Sequence, residues 1–311
     1  MSKIALLLAG IGLALLAASP AKAQQTWVSG TNGDDNNDCS RGAPCATFRR
    51  AFAVTPTGGE ISCLDAGRFG GVDIFKSVTI SCEAGTASIQ GDTIQIFQNP
   101  GKVTLRGLDM QGTTASNSNG CIGIWITGNP TAVHIENVRV RGYGAGCGAS
   151  QNAGIMVNVG SSSTTFLYVA DSVISSNGVG VRLQSSGGYK IASLKNVVIN
   201  GSAADGLRLE NSNVFVNVTD SIISGNGGSA VNTAAASTTA NIVRTTMANN
   251  IVAALNASAN GSTIRVSNND IYNNTNGFLI ANGATIQSDG TNKTGFSNGG
   301  AQAPNAGLAL Y

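Results

Sequence analysis

The chain has 311 residues, a formal net charge of +2 at pH 7 and only 11% charged residues, against about a quarter in an average soluble domain. Its 42% of hydrophobic residues can build a packed core, while 41 glycines and 32 asparagines favour tight turns. This composition argues against coiled coils, helical bundles and strongly basic nucleic-acid-binding proteins, and it favours many short strands.

Residues 1–23 have the pattern of a secretory signal peptide. Lys3 precedes an apolar run from Ile4 to Ala18, and Ala21-Lys22-Ala23 supplies a small-x-small cleavage site. The alternative is an uncleaved membrane anchor, which the short apolar run disfavours. We therefore expect cleavage after Ala23, export to the periplasm or the extracellular space, and a mature chain without a membrane span. Its basic and acidic residues would then be equal in number, which gives no reason to expect nucleic acid or a membrane as a partner.

The segment 24–59 is predicted to form a loop followed by a short capping helix. Phe48, Ala51 and Phe52 have the i, i+3, i+4 spacing of one apolar helix face, within residues 46–54. Such a helix would cover the first unit of a repeat structure.

The loop before this helix carries a group of aspartates, Asp34, Asp35 and Asp38. Carboxylate oxygens are ligands that calcium prefers, so a calcium site is one interpretation. The other is a solvated turn, which we favour because the loop lacks the glycine and distal glutamate of an EF-hand. We expect no other cofactor.

The six cysteines are candidates for three disulfides in an exported protein. Cys39 and Cys45 enclose a short loop, Cys63 and Cys82 end matching Ile-Ser-Cys phrases, and Cys121 and Cys147 fall in corresponding loops of consecutive repeats. Zinc binding is the competing interpretation. It is disfavoured because the chain has one histidine and no Cys-x-x-Cys pair.

From residue 78 onward the chain repeats a phrase of three short strands separated by turns. A turn residue, mostly polar, recurs every 23 to 34 residues, at Cys82, Gly107, Asn137, Asp171, Asn196, Asp220, Thr245 and Asn268. Such a period without helices indicates a solenoid in which each repeat is one coil. Glycine adopts a positive φ most readily, and asparagine and aspartate come next. We therefore interpret this series as a ladder of turn residues rather than as catalytic aspartates.

This pattern resembles the right-handed parallel β-helix of the pectin-lyase-like superfamily, over about residues 60–300. The resemblance implies an all-β solenoid of about eight to ten coils over residues 60–290, with the short N-terminal helix as its cap and residues 291–311 as a C-terminal cap or tail. It implies no particular activity, because this fold carries many functions.

The third strand of each repeat predicts outward-facing columns of side chains, with neighbours about 4.8 Å apart. One column contains Trp125, Met156, Arg182 and Arg208, and the next contains Thr127, Asn158, Gln184 and Glu210. A tryptophan ring can cover the C–H face of a sugar, and guanidinium groups can bind carboxylates or hydroxyls. The columns therefore predict a carbohydrate-binding face, and an ordinary solvated sheet is the alternative.

Three functions remain open from the sequence. The first is a secreted β-helix that binds polysaccharide or a cell-surface glycan along the Trp125–Arg208 face. The second is a pectate-lyase-like enzyme with Arg182 or Arg208 as its base, where Arg208 beside Asp205 and Glu210 is the nearest approach to such a site. The third is a non-catalytic surface or matrix protein. The signatures of polygalacturonase-like hydrolases are absent, and the single histidine, His134, is interpreted as an ordinary strand residue.

Overall fold

The computed structural model describes residues 24–83, 87–113, 120–144, 146–148, 152–160, 163–295 and 303–308. These residues contain one helix and 31 strands. The predicted signal peptide, residues 1–23, lies outside these ranges. The strands assemble into three sheets of twelve, ten and nine strands, in which every named pair of strands is parallel.

The bounds of the strands are as follows. Sheet 1 contains β1 (Gln25–Val28), β2 (Gly59–Cys63), β5 (Val78–Ser81), β8 (Lys102–Arg106), β11 (Ala132–Glu136), β14 (Thr165–Ala170), β17 (Lys190–Lys195), β20 (Val214–Thr219), β23 (Thr238–Val243), β26 (Thr263–Ser267), β29 (Thr285–Ser288) and β31 (Ala306–Gly307). Sheet 2 contains β3 (Gly67–Arg68), β6 (Ala87–Gln90), β9 (Leu108–Gln111), β12 (Arg139–Arg141), β15 (Val173–Ser175), β18 (Val198–Asn200), β21 (Ile222–Ser224), β24 (Thr246–Ala248), β27 (Asp270–Tyr272) and β30 (Lys293–Gly295). Sheet 3 contains β4 (Val72–Ile74), β7 (Ile94–Ile96), β10 (Ile122–Ile126), β13 (Ala153–Val159), β16 (Val179–Ser185), β19 (Leu207–Glu210), β22 (Val231–Thr233), β25 (Ala253–Ala257) and β28 (Asn276–Ile280).

Each coil of the described chain adds one strand to sheet 1, then one to sheet 2, then one to sheet 3. Nine coils are complete, from β2 to β28, and β29 with β30 begins a tenth. Alternate side chains point into the solenoid, so that Ile124, Ile155, Val181 and Leu207 stack in the core, fully buried. The prediction of an all-β parallel β-helix with about this number of coils is confirmed.

The turn from sheet 1 to sheet 2 has a left-handed residue in most coils. Its φ lies between 47° and 68° at Gly107, Asn137, Asp171, Asn196, Asp220, Arg244 and Asn268. The predicted ladder is correct for six of these positions. Its member Cys82 stands at the turn but is not left-handed, and its member Thr245 is wrong by one residue. Val243 pairs with Thr219, so Arg244 follows at the turn and Thr245 is buried. The unusual left-handed arginine forms an ion pair with Asp220 of the preceding coil, Nε to Oδ1 2.6 Å.

The N-terminal cap is the helix α1 (Phe48–Val54), and its apolar face is the predicted one. Phe48, Ala51 and Phe52 are buried, and the hydroxyl of Thr47 accepts a hydrogen bond from the backbone N–H of Arg50 at the N-cap. No helix among the described residues is both long and apolar enough to cross a membrane.

All three predicted disulfides are confirmed, with Cα–Cα distances of 4.7 Å for Cys39–Cys45, 4.8 Å for Cys63–Cys82 and 5.8 Å for Cys121–Cys147. At the other end of the chain, the segment predicted as a cap or tail still contributes strands. β30 pairs in parallel with β27, and β31 pairs in parallel with β29. The solenoid therefore extends beyond residue 290.

Candidate functional site

The outer face of sheet 3 carries the predicted column of side chains in the predicted register. Trp125 pairs with Met156, Met156 with Arg182, and Arg182 with Arg208. However, the expectation that these side chains are solvent-exposed is wrong for two of them. Met156 is only 1% exposed and Arg182 only 7%.

Met156 is buried because a small apolar cluster covers this part of the sheet. It packs with Cys121, Ile122, Ala153 and Val179, while Trp125, Cys147 and Ala204 lie at the edge of the cluster. The Cys121–Cys147 disulfide belongs to it. The loops that were predicted to carry Cys121 and Cys147 fall partly outside the described residues. Trp125 itself is partly buried, so packing accounts for part of its role.

Arg182 is buried because it forms an ion pair with Glu210. Its Nε donates to Glu210 Oε2 at 2.8 Å, and its Nη2 donates to Oε1 at 3.0 Å. Gln184 and Arg208 also donate to the Glu210 carboxylate. Arg208 in addition contacts Asp205, Nη1 to Oδ2 3.1 Å. The structure thus brings together the predicted Arg182, Arg208, Gln184 and Glu210, but they bind one another.

The environment of Glu210 keeps its carboxylate charged. Burial favours the neutral form, but the hydrogen bonds from Gln184 and Arg182 and the charges of Arg182 and Arg208 outweigh it and lower the pKa of Glu210. Two guanidinium groups therefore face two carboxylates, Asp205 and Glu210, in a balanced network. This geometry is that of a structural ion-pair cluster, in which both arginines are already engaged.

A polar cleft that was not among the predicted features lies at the N-terminal end of the Trp125 column. It has a volume of about 190 Å³ and is lined by Arg49, Gly71, Val72, Asp73, Asp92, Thr93 and Gln95. Asp73 pairs with Gln95, and Gln95 pairs with Trp125, so the cleft and the indole share one column. The alternating phrases Val72-Asp73-Ile74 and Ile94-Gln95-Ile96 were the available signal.

The groups of the cleft include both hydrogen-bond donors and acceptors. Arg49 is exposed on α1 and Asp73 is exposed on β4. Asp92 Oδ2 accepts from the backbone N–H of Gly71 at 3.3 Å, and Gln95 Nε2 donates to Thr127 Oγ1 at 3.3 Å. On the far side of Trp125 the second column continues with Asn158, which is exposed.

The three aspartates considered for calcium are engaged separately within the N-terminal loop. Asp35 accepts three hydrogen bonds, from the backbone N–H groups of Ala46 and Thr47 and from the hydroxyl of Thr47. Asp34 and Asp38 each accept from a backbone N–H two residues onward. In the part of the chain that the structure describes, no group of three or more His, Cys, Asp or Glu side chains is placed to hold a metal ion.

Comparisons with known proteins bear on the fold. No protein-family model and no curated protein matches this chain. Among solved structures, it is similar to pectate lyase Pel9A, with a TM-score of 0.61 at 16% identity over 91% of this chain and 79% of that chain. The fold is a pectate-lyase-like parallel β-helix. This confirms the predicted resemblance, and at this identity it shows the fold alone.

Two further solved structures are only weakly similar. The mannuronan C-5 epimerase AlgE6 A-module from Azotobacter vinelandii has a TM-score of 0.32 at 13% identity, covering 81% of this chain and 90% of that chain. The GH136 lacto-N-biosidase from Eubacterium ramulus has a TM-score of 0.33 at 10% identity, covering 92% of this chain and 68% of that chain.

Proposed function

We propose that this protein is exported and binds a polysaccharide along the outer face of sheet 3, from the polar cleft to Trp125 and Asn158. The observation that carries the proposal is the placement of the Trp125 indole one coil from Gln95, which lines the cleft. An aromatic ring beside convergent donors and acceptors on a flat sheet suits a sugar, which has an apolar C–H face and a rim of hydroxyls.

The small volume of the cleft favours one sugar unit of a longer polysaccharide over a free small molecule as its occupant. Its volume of about 190 Å³ is below the ~300–1,000 Å³ that is usual for a small-molecule pocket. Arg49 offers donors, Asp73 and Asp92 offer acceptors, and Gln95 offers both. Hydroxyl groups, which donate and accept, can satisfy such a mixed set.

Two other observations support the proposal. The fold is shared with a pectate lyase, and this analogy of fold supports a polysaccharide as the ligand class. Three disulfides fit an oxidising compartment outside the cytosol, in accord with the proposed export. Because Arg182 and Arg208 are engaged with Glu210 and Asp205, we propose binding rather than lyase chemistry at those arginines.

The proposal predicts that cleft variants lose polysaccharide binding without unfolding. We expect the Asp73→Asn/Gln95→Ala double variant to bind about tenfold more weakly, equivalent to ~1.4 kcal/mol, since both residues project from the outer face of the sheet. The measurement is affinity electrophoresis in gels that contain pectate, alginate, xylan or glucan.

Asp270→Asn is the matched control, because Asp270 is an exposed carboxylate on sheet 2. Absence of binding to every polysaccharide, or equal binding by wild type and the double variant, would contradict the proposal and leave the surface-protein alternative. Unsaturated uronate products in the same incubations would instead favour the lyase alternative.

A further inference from the structure

The outer face of sheet 1, away from the proposed site, carries five clustered rings: His134, Phe166, Tyr168, Tyr189 and Phe215. We call them the sheet 1 aromatic patch. His134 and Tyr168 occupy equivalent positions in adjacent coils, with ring centroids 4.6 Å apart and planes at 28°. Tyr189 and Phe215 are 5.9 Å apart. Tyr168 is 41% exposed, and Tyr189 and Phe215 are also exposed.

Two rings lie beside Tyr168: His134 of the preceding coil, and Phe166 of the same strand, whose centroid is 6.5 Å away with its plane at 12°. His134 covers the face toward the N-terminal coils, and the next residue of the column in the other direction is Ser193. Ser193 is followed by Asn217. Because the serine side chain is small, the Tyr168 ring and the Asn217 amide stand two coil spacings, about 10 Å, apart between centres, which leaves a slot roughly 6 Å wide. This width admits one sugar ring stacked on the tyrosine.

Polar groups extend the same column beyond the slot. Asn241 Nδ2 donates to Asn217 Oδ1 at 2.8 Å, and Arg265 Nε donates to Gln287 Oε1 at 2.8 Å. Arg265 Nη1 also contacts Asn241 Oδ1 at 3.4 Å. These chained side chains hold one another in place along the sheet. They offer fixed hydrogen-bonding groups in line with the slot, as recognition of hydroxyls requires.

The size of the patch distinguishes between occupants. From His134 to Phe215 it spans three coil spacings, about 14 Å, and its three outward columns span about 13 Å along the strands. The resulting area of roughly 200 Å² is a quarter of the ~800 Å² that each partner buries in a standard protein interface. A single extended chain fits this area better than a protein surface does.

The charges around the patch favour an uncharged ligand. Its border contains Lys102, Glu136 and Lys195, which are of mixed sign. Burial, and then the charge of Lys102, outweigh the charge of Glu136 and lower the pKa of His134, which favours the uncharged imidazole.

We propose that the sheet 1 aromatic patch, with the slot over Ser193, binds a neutral polysaccharide. One sugar ring would stack on Tyr168, and the hydroxyls of the units that follow would bond to the side chains from Asn217 to Gln287. This inference does not rest on the proposed site of sheet 3, because the two faces share no residue.

The test is calorimetric titration of the full chain with cellohexaose, xylohexaose, mannohexaose and chitohexaose. We expect at least one to bind, and Tyr168→Ala to weaken its binding at least tenfold. Ser193→Phe should do the same by filling the slot, although it removes no contact. Tyr272→Ala is the matched control, because Tyr272 is a tyrosine of similar exposure, 43%, on sheet 2. This variant should bind the hexasaccharide as wild type does.

Three outcomes would overturn the inference. The first is that none of the four hexasaccharides binds. The second is that Tyr168→Ala and Ser193→Phe bind the hexasaccharide as wild type does, while Asp73→Asn/Gln95→Ala does not bind it. This result would place the ligand on sheet 3 and support the proposed function alone. The third is self-association that Tyr168→Ala abolishes, which would make the patch a protein interface. Unfolding curves of both variants, unchanged from wild type, exclude misfolding as the cause.

Discussion

Replacing Glu210 by glutamine should lower the free energy of unfolding by about 3 kcal/mol, because the change leaves a buried guanidinium without its counter-charge. The side chains of Arg182 and Glu210 are only 8% and 13% exposed. Arg182 would keep its buried position but lose the carboxylate to which both its Nε and Nη2 donate. Urea denaturation at neutral pH measures the loss.

Asp220→Asn provides the matched control for this variant. It makes the same carboxylate-to-amide change in the Arg244–Asp220 pair, whose side chains are 58% and 39% exposed. Solvent screens this pair, so the control should change stability little. A double variant, Arg182→Met/Glu210→Leu, should recover most of the lost stability, since apolar replacements often match a buried ion pair. Equal small losses for Glu210→Gln and Asp220→Asn would show that the network is not structural.

The ion pairs of Glu210 also determine how the free energy of unfolding changes with pH. The pKa of Glu210 is lower in the folded chain than its ordinary value of 4.5. Its ion pairs therefore contribute stability above that ordinary pKa, and this contribution is lost as the pH falls through the lowered folded pKa. The wild type should consequently lose stability over this acidic range more steeply than Glu210→Gln.

Replacing Asn250 by alanine should lower the free energy of unfolding by about 3 kcal/mol, because it interrupts a buried stack of asparagines. Asn226, Asn250 and Asn274 lie at the turn from sheet 2 to sheet 3 in successive coils, and all are fully buried or nearly so. Asn250 Oδ1 accepts from the backbone N–H of Asn226 at 3.2 Å and from its Nδ2 at 2.9 Å. Asn250 Nδ2 donates to Asn274 Oδ1 at 2.8 Å.

The loss of stability arises from the buried hydrogen-bonding groups that the Asn250→Ala variant leaves without a partner. Without Asn250, the N–H of Asn226 stays in the core unpaired, and an unsatisfied buried group costs about 1–3 kcal/mol. Asn276→Ala is the control, because the Asn276 amide donates to the carbonyl of Val252 near the surface. Thermal or urea unfolding of both variants checks the prediction. Similar small effects at the two positions would mean that the stack is dispensable.

The repeat period and the turn residues predict the fold well, because both follow from local backbone geometry. Strand pairing at a fixed spacing places every third strand in one sheet, and left-handed turns require Gly, Asn or Asp at most positions. The ladder departs from this rule at Cys82, which is not left-handed, and at Arg244, whose ion pair with Asp220 joins two coils. The sequence of a single repeat does not reveal a contact between two coils.

The candidate site is less predictable, because burial depends on contacts between distant segments. The register of Met156 and Arg182 follows from alternation, but their burial depends on the Cys121–Cys147 cluster and on Glu210. Alignment of whole repeats could have placed Tyr168 beside His134 on sheet 1. It could also have extended the Trp125 column to Gln95. The contribution of Arg49 to the cleft requires the docked position of α1, which only the structure supplies.

The most direct test of polysaccharide binding on sheet 3 uses the intrinsic fluorescence of Trp125. The chain has two tryptophans, Trp27 and Trp125, so the Trp27→Phe variant reports on Trp125 alone. Titration with the polysaccharide that binds in the electrophoresis experiment should give a saturable change in tryptophan emission. Adding Asp73→Asn/Gln95→Ala to this variant should shift the curve to about tenfold higher concentration. Emission that stays constant while the polysaccharide saturates the protein would contradict the account, because the bound chain would then lie away from Trp125.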